Sequence, residues 1–380
     1  MKAYLLHLFT VCGGGERVSL EMAKALSEIG LEVVYVTNSA EGLKKCSELF
    51  GLPGNYRVLE TRSLLEDVLS ITGRFIRYRR LLLISKIYGE LKALGVDGLV
   101  IDTGTNAPLG VHVSYIHYPA VLSAKELNTM YWRAYNWLIK RKVGSLAGKP
   151  KLVLTNSSWT AGFIKNVYGL DAHVLHPPVD VEYYAYDGRR KEKTIVTISR
   201  LTPEKNLHLL PRIASKLPDY EWYLVGSVEL KGSLKAISLR TYRRIKEEVE
   251  KLNVRNLHVE LNIPRRELRE LLLSASFYVH PLFPEHFGIA VAEAMSAGCI
   301  PIVYRDGGAW TDIVSPIHEG LGYNNIEEVP SIIASIENNH DLMEKLRREV
   351  IERAQEYRSE VFRRKFIEKL KHFQFLSIVS

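Results

Sequence analysis

Short runs of β-branched and aromatic residues recur along the chain, each followed by a stretch with helical spacing of its apolar positions. Runs at 3–9, 32–37, 98–101, 111–116, 152–155 and 174–176 predict strands, with helices at 16–29, 82–94 and 159–168 between them. Such alternation requires crossover connections, which place parallel strands in one sheet covered by helices. The pattern then breaks. The segment HPPVDVEYYAYDGRRKEK is rich in proline, tyrosine and charge and has no apolar periodicity, as a connection would. Beyond it the alternation restarts, with strands at 194–199, 222–225, 257–261, 277–280 and 300–304 and helices at 207–217, 242–252, 265–273 and 289–296. The expected architecture is α/β, with two similar domains in tandem facing across a cleft. They are an N-terminal domain over 1–182, a linker over 183–193, a C-terminal domain over 194–340 and a charged helical segment over 341–380 that returns to the first domain.

Composition fits this picture. A chain of 380 residues exceeds what one core usually holds, and 46% apolar with 25% charged residues is ordinary for a soluble protein. Cys12, Cys46 and Cys299 are scattered, odd in number and lack a C-x-x-C pair. That argues against a disulfide framework or a zinc site and suits a reducing, cytoplasmic setting. The N-terminal apolar run reads as a first buried strand rather than a signal peptide, and no window approaches a membrane span. A net charge of +8 permits nucleic acid, anionic lipid or a phosphorylated substrate without choosing among them.

Ligands of parallel sheets bind beyond the carboxyl ends of the strands, and the unusual residues of this chain fall there. CGGGERV follows the first strand. The glycines Gly13, Gly14 and Gly15 permit close backbone approach, and a helix start offers N–H groups to an anion, although a plain tight turn explains them as well. The spacing is not G-x-G-x-x-G, and Thr37-Asn38 stands where a dehydrogenase would carry an acid. In ISRLTPEKNL, Arg200 and Lys205 flank a turn and can bracket a diphosphate, unless they are simply solvated. In PEHFGIAVAEAMSAGCIP, Glu285 precedes a helix whose start at Phe287, Gly288 and Ile289 suits phosphate oxygens, and Glu293 lies inside that helix. Carboxylates accept paired hydroxyl donors, so each acid can hold a vicinal diol, although a solvated helix face would also carry acids. His117, in VSYIHYP, is a further candidate for a sugar contact or a buried core residue.

Together these motifs resemble the retaining glycosyltransferases of family 4, which have the GT-B fold of two Rossmann-like domains. The resemblance covers nearly the whole chain through GGGERV, YIHYP, TNSSWT, HPPVD, RLTPEKN, the E-x7-E stretch and DGG. Within the family the chain is most similar to a subgroup of α-mannosyltransferases that extend dolichol-linked oligosaccharide. The resemblance implies a nucleotide-sugar donor, GDP-mannose, and a glycan or polyprenyl-diphosphate-linked acceptor. It places Arg200 and Lys205 on the diphosphate, Glu293 on the ribose and Glu285 on the transferred sugar. Gly13, Gly14, Gly15 and His117 would complete the sugar pocket, and Gly307-Gly308 would shape a neighbouring loop. Retention without a nucleophilic carboxylate implies a front-face mechanism, and the absence of an Asp-x-Asp implies no metal or other cofactor.

Members of that subgroup carry an N-terminal membrane anchor, whereas this sequence opens on a strand. A lipid-linked acceptor then implies peripheral contact with an anionic membrane. The basic and apolar or aromatic segments RFIRYRRLLLISK (74–86) and YWRAYNWLIKRK (131–142) suit such a surface. They would equally suit helices packed on their own domain. The alternatives are another nucleotide-sugar donor with a different acceptor, or a nucleotide-sugar 2-epimerase of the same fold. Nucleic acid is disfavoured for want of a continuous basic stripe with stacking aromatics.

Overall fold

The computed structural model describes residues 1–9, 12–60, 97–120, 150–228 and 232–376, with isolated positions 86, 88, 89, 95, 137 and 141 between them. Two compact units result, one of Met1–Pro178 with Ser359–Ser380 and one of Val179–Arg358.

The first unit is built on seven strands: β1 (Lys2–Leu6), β2 (Glu32–Thr37), β3 (Arg57–Glu60), β4 (Leu99–Asp102), β5 (Val113–Ile116), β6 (Leu152–Thr155) and β7 (His173–Val174). Their order is β3-β2-β1-β4-β5-β6-β7, and every pairing is parallel. This is the doubly wound order, whose direction reverses between β1 and β4. The register sets Leu6 opposite Asp102, so His7 and Thr103 emerge side by side at the reversal. The core strands are almost wholly buried, as a sheet with helices on its faces requires. β3 is an edge strand with an exposed pattern, and it escaped the sequence reading because Arg57–Glu60 carries no apolar run.

The second unit repeats the plan with β8 (Glu192–Arg200), β9 (Glu221–Ser227), β10 (Leu257–Leu261), β11 (Ala275–Val279), β12 (Ile300–Tyr304) and β13 (Gly322–Tyr323). The order β10-β9-β8-β11-β12-β13 reverses between β8 and β11. Polar groups cross the sheet interior in a satisfied chain. The Trp222 indole donates to Thr197 Oγ1 at 3.0 Å, and that hydroxyl donates to the Val279 carbonyl at 2.7 Å.

Three expectations need correction. The stretch expected to link the domains belongs to the second one. Val179, Val181 and Tyr184 lie in its core, and Lys191 Nζ donates to the carbonyls of Leu272, Leu273 and Ala297 at two helix ends. The tail also divides: the helix His340–Ala354 buries Leu346, Val350 and Ala354 in the second domain. Only the helix Ser359–His372 joins the first, through Phe362, Phe366 and Leu370 and through Arg363, whose Nη1 lies 2.7 Å from the buried carboxylate of Glu21.

The third correction concerns the cysteines. Cys12 and Cys46 form a disulfide. Their separation of 34 residues carries no framework signal; close approach of the helix Ala40–Leu49, at Gly42, to Phe9 in the segment after β1 brings them together. Cys299 remains a buried thiol. On the chain-entropy account, a cross-link closing such a loop stabilises by about 4 kcal/mol. Reductant is expected to lower the thermal midpoint by several degrees, and Cys46→Ser to lower it equally while abolishing sensitivity to reductant. A midpoint indifferent to reductant would show that the bond does not stabilise the fold.

Candidate functional site

In the second domain, β8 ends at Arg200 and leads through a turn to Lys205, while β11 leads through His280 to Glu285. Both loops leave the sheet at the strand-order reversal, where the connections diverge and a ligand has room. Asn206, in the left-handed conformation at φ 52°, ties the loops together by donating Nδ2 to the Leu282 carbonyl at 3.0 Å.

Lys205 and Glu285 meet directly. Nζ lies 2.7 Å from Oε2, and the lysine side chain is 7% exposed. Phe283 supplies its ring face beneath the same ammonium, 3.8 Å from the centroid. His280 Nε2 approaches the same carboxylate oxygen at 3.5 Å. Burial alone would raise the Glu285 pKa, but Lys205, then His280 and His286, hold it well below the usual carboxylate range. Among the described residues no hydrogen bond reaches Oε1, so one oxygen is held by cations and the other is left to accept.

The backbone of Glu285 is clamped as well. Gly308 N–H donates to its carbonyl at 2.7 Å, and Glu285 pairs with Gly307 as an isolated parallel bridge. Gly307 has φ +99°, and a Cβ there would lie 2.4 Å from the Glu285 oxygen and 2.6 Å from its nitrogen. The DGG turn is therefore a template for the acid-bearing loop.

Just beyond Glu285 begins the helix Ile289–Ser296, capped by Gly288 at φ 106° with no side-chain cap. Its first-turn N–H groups are thus available to an anion. A Cβ on Gly288 would meet Ala309 at 3.0 Å. Glu293 lies one turn into this helix, half-buried, and adds to the burial that pushes the Tyr184 phenol up to about 12. Phe287 was expected at the donor, but its side chain is 3% exposed and packs edge-on against Tyr357 at 5.2 Å. It anchors the loop in the core, leaving only backbone to a ligand. Arg200 is exposed at the end of β8, with no ion pair among the described residues.

The first-domain candidates form a separate group. Gly14 and Gly15 are the first residues of the helix Gly14–Glu28 rather than part of a turn before it. Gly13 N–H is not free, because it donates to Glu16 Oε2 at 3.0 Å. The ring of His117 lies against Gly15, 3.4 Å from where a Cβ would stand. Its backbone is fixed by Asn106 Oδ1, which accepts from His117 N at 2.8 Å, and by Asn156, which donates to its carbonyl at 2.8 Å.

The sequence reading passed over three buried groups here. His7 donates or accepts at Thr103 Oγ1 over 2.9 Å, and its Nε2 is 3.7 Å from Glu16 Oε1. Burial opposes ionisation of Glu16, but His7 and the backbone N–H groups lower its pKa overall. Burial pushes the Asp102 carboxyl up to about 6 while it accepts from the N–H groups of Gly104 and Thr105. An acid three residues after Gly13, the spacing of a capping box, was the available signal for Glu16.

Two Rossmann-type sheets, with an acid–cation pair beside an uncapped helix start at one reversal, define the GT-B class of sugar-transferring enzymes. Both halves of the chain match glycosyltransferase family models. Residues 12–183 match the family described as Glycosyltransferase Family 4, and residues 186–357 match Glycosyl transferases group 1. The chain is 28% identical to the Homo sapiens GDP-Man:Man(3)GlcNAc(2)-PP-Dol alpha-1,2-mannosyltransferase, with 81% of this chain and 73% of that protein covered. It is 30% identical to the Dictyostelium discoideum protein of the same name, over 58% and 51% of the two chains. A glycosyltransferase from Rickettsia africae ESF-5 shares the fold at a TM-score of 0.64 and 19% identity, with 98% of each chain covered.

Gly307→Ala is expected to displace Glu285, cutting turnover by at least ~10-fold and costing about 2 kcal/mol or more of stability. Gly188→Ala is the control. That glycine also has positive φ, at +86°, but nothing lies within 4 Å of its Cβ position. Equal stability losses in the two variants, with activity intact in both, would show that the clamp does not hold Glu285 in place.

Proposed function

We propose that the protein transfers mannose from GDP-mannose to a lipid-linked oligosaccharide, retaining the anomeric configuration and needing no metal. The choice of GDP-mannose and of a lipid-linked oligosaccharide rests on the names of the curated relatives. The observation in this chain that carries the chemistry is the Lys205–Glu285 pair beside the open helix start at Gly288.

In this reading Arg200, Lys205 and the N–H groups at Ile289 hold the diphosphate, Glu293 the ribose and Glu285 the hydroxyls of the transferred mannose. Gly14, Gly15 and His117 are assigned to further sugar contacts. The bond from the anomeric carbon to the leaving phosphate oxygen breaks as the acceptor oxygen bonds on the same face. The acceptor's proton passes to that phosphate oxygen. Negative charge grows on the diphosphate, so fixed cations and helix N–H groups stabilise this step more than the ground state.

Among several radiolabelled sugar nucleotides, GDP-mannose is expected to label an organic-extractable lipid acceptor pool, undiminished by excess chelator. Glu285→Ala is expected to lose at least ~100-fold in turnover while keeping GDP affinity, and Glu293→Ala to weaken GDP binding by ~10-fold or more. Normal turnover in both variants would sink the assignment of the acids, and chelator inactivation reversed by manganese would sink metal independence.

Peripheral contact with an anionic membrane belongs to the same reading. Most of the basic segments at 74–86 and 131–142 lies outside the described residues, but Trp137 is exposed and Arg141 lies over its ring at 5.4 Å. Among the described residues no helix is long and apolar enough to cross a membrane. Flotation with anionic liposomes is expected, weakened by salt and by Trp137→Ala. Equal behaviour with neutral liposomes would refute the membrane contact.

A further inference from the structure

We infer that His280 is a positioning residue for Glu285, carrying two ring protons and donating from Nε2 to Oε2. The inference rests on the assignment of Glu285 to the transferred sugar. His280 directly follows β11 and is 4% exposed. Its backbone is fixed on both sides: the N–H donates to the Ile302 carbonyl at 2.9 Å, and its carbonyl accepts from Tyr323 Oη at 2.6 Å.

The ring has little freedom in how it places its protons. Nδ1 lies 2.9 Å from the Pro281 carbonyl. A carbonyl only accepts, so Nδ1 carries a hydrogen. Nε2 then faces Glu285 Oε2 at 3.5 Å. A neutral ring would set the Nε2 lone pair against a carboxylate lone pair in a largely dry site, which is repulsive. A second proton turns the same geometry into a charge-assisted contact.

This gives the carboxylate two anchors with different duties. Lys205 grips Oε2 at 2.7 Å and is also the cation assigned to the donor diphosphate. When the diphosphate draws that ammonium away, His280 remains on Oε2. Oε1 then stays available to the sugar hydroxyls, and the carboxylate cannot swing after the lysine. The protein thus holds its sugar-binding acid through a histidine that the diphosphate does not compete for.

The other charged and titratable groups facing this carboxylate are Lys205, His286 and Tyr278. Burial, and then Glu285, pushes the Tyr278 phenol far above its ordinary value.

Four variants, Glu285→Ala, His280→Asn, His280→Gln and His286→Asn, test this with donor KM, kcat and GDP affinity. Asparagine can keep the Nδ1-type bond to Pro281 but has no donor reaching Glu285, whereas glutamine places an uncharged N–H near Nε2. His280→Asn is expected to lower kcat by about 30-fold or more, with donor KM and GDP affinity changed less than ~3-fold. His280→Gln is expected to recover at least ~10-fold of that loss, and His286→Asn to lower kcat less than ~3-fold. If Glu285→Ala is inactive but His280→Asn matches the wild type in kcat, the inference on His280 fails alone. A His280→Gln variant that folds and turns over no faster than Glu285→Ala overturns it too, even should His280→Asn not fold. If Glu285→Ala is active, the reading of the site has failed instead.

Discussion

The parallel pairing of β8 with β11 decides where chemistry is possible in the second domain. These strands are far apart in sequence, and a crossover carrying β9 and β10 lies between them, so the connections that leave their carboxyl ends diverge. That divergence opens the only kind of gap a doubly wound sheet provides. It also brings residues eighty positions apart, Lys205 and Glu285, within 2.7 Å of one another. The acid comes from a loop whose backbone could adopt other paths, and the DGG turn removes that freedom by bonding the Glu285 carbonyl to Gly308 N–H. Sheet order therefore places the loop, the turn fixes its backbone, and the cations fix the last torsions of its side chain.

Much of this was legible in the sequence because buried parallel strands must be apolar along their whole length. Strands over Glu32–Thr37, Leu152–Thr155 and Ile300–Tyr304 coincide with their apolar, β-branched runs. β3 and β13 lack such runs. One is an exposed edge and the other only two residues long, so nothing in their composition separates them from loop. The supposed linker misled for a related reason. Proline, tyrosine and charge suggest solvent, yet Tyr184 and Val181 are buried and Lys191 caps three carbonyls, work that aperiodic sequence can do as well as periodic.

The candidate site was legible in its residue types and not in its pairings. Spacing singles out Glu285, Glu293, Arg200 and Lys205, but it sets Lys205 with Arg200 on the diphosphate and Glu285 on the sugar, not against each other. Contact between Lys205 and Glu285, with His280 on the same oxygen, depends on side-chain rotamers and on the β8–β11 register, which sequence spacing does not encode. Phe287 shows the reverse limit, since a conspicuous residue inside a signature turned out to be core packing against Tyr357. Glu16 shows a third. Its carboxylate consumes the Gly13 N–H that a glycine-rich turn seems to advertise, so fewer of those N–H groups are open than three glycines suggest. The disulfide between Cys12 and Cys46 belongs here too, because pairing over such a distance is a property of packing alone.

The charge balance at Glu285 connects these details to function. A lone buried carboxylate would be costly, and it would oppose a diphosphate arriving beside it. Pairing it with Lys205 alone makes the cluster neutral, so drawing the ammonium to a diphosphate would strand the acid. With His280 also charged, the cluster of three carries a net single positive charge before the donor arrives. One cation can then serve the diphosphate while the other keeps the carboxylate paired, so neither negative group is left uncompensated. The nearby N–H groups of Gly288 and Ile289 add partial positive charge in a fixed orientation, and Arg200 is exposed at the end of β8. On the proposed reading, a site so arranged would stabilise charge growing on a leaving diphosphate with groups already in place, which is the condition under which electrostatic preorganisation lowers a barrier without reorganisation cost.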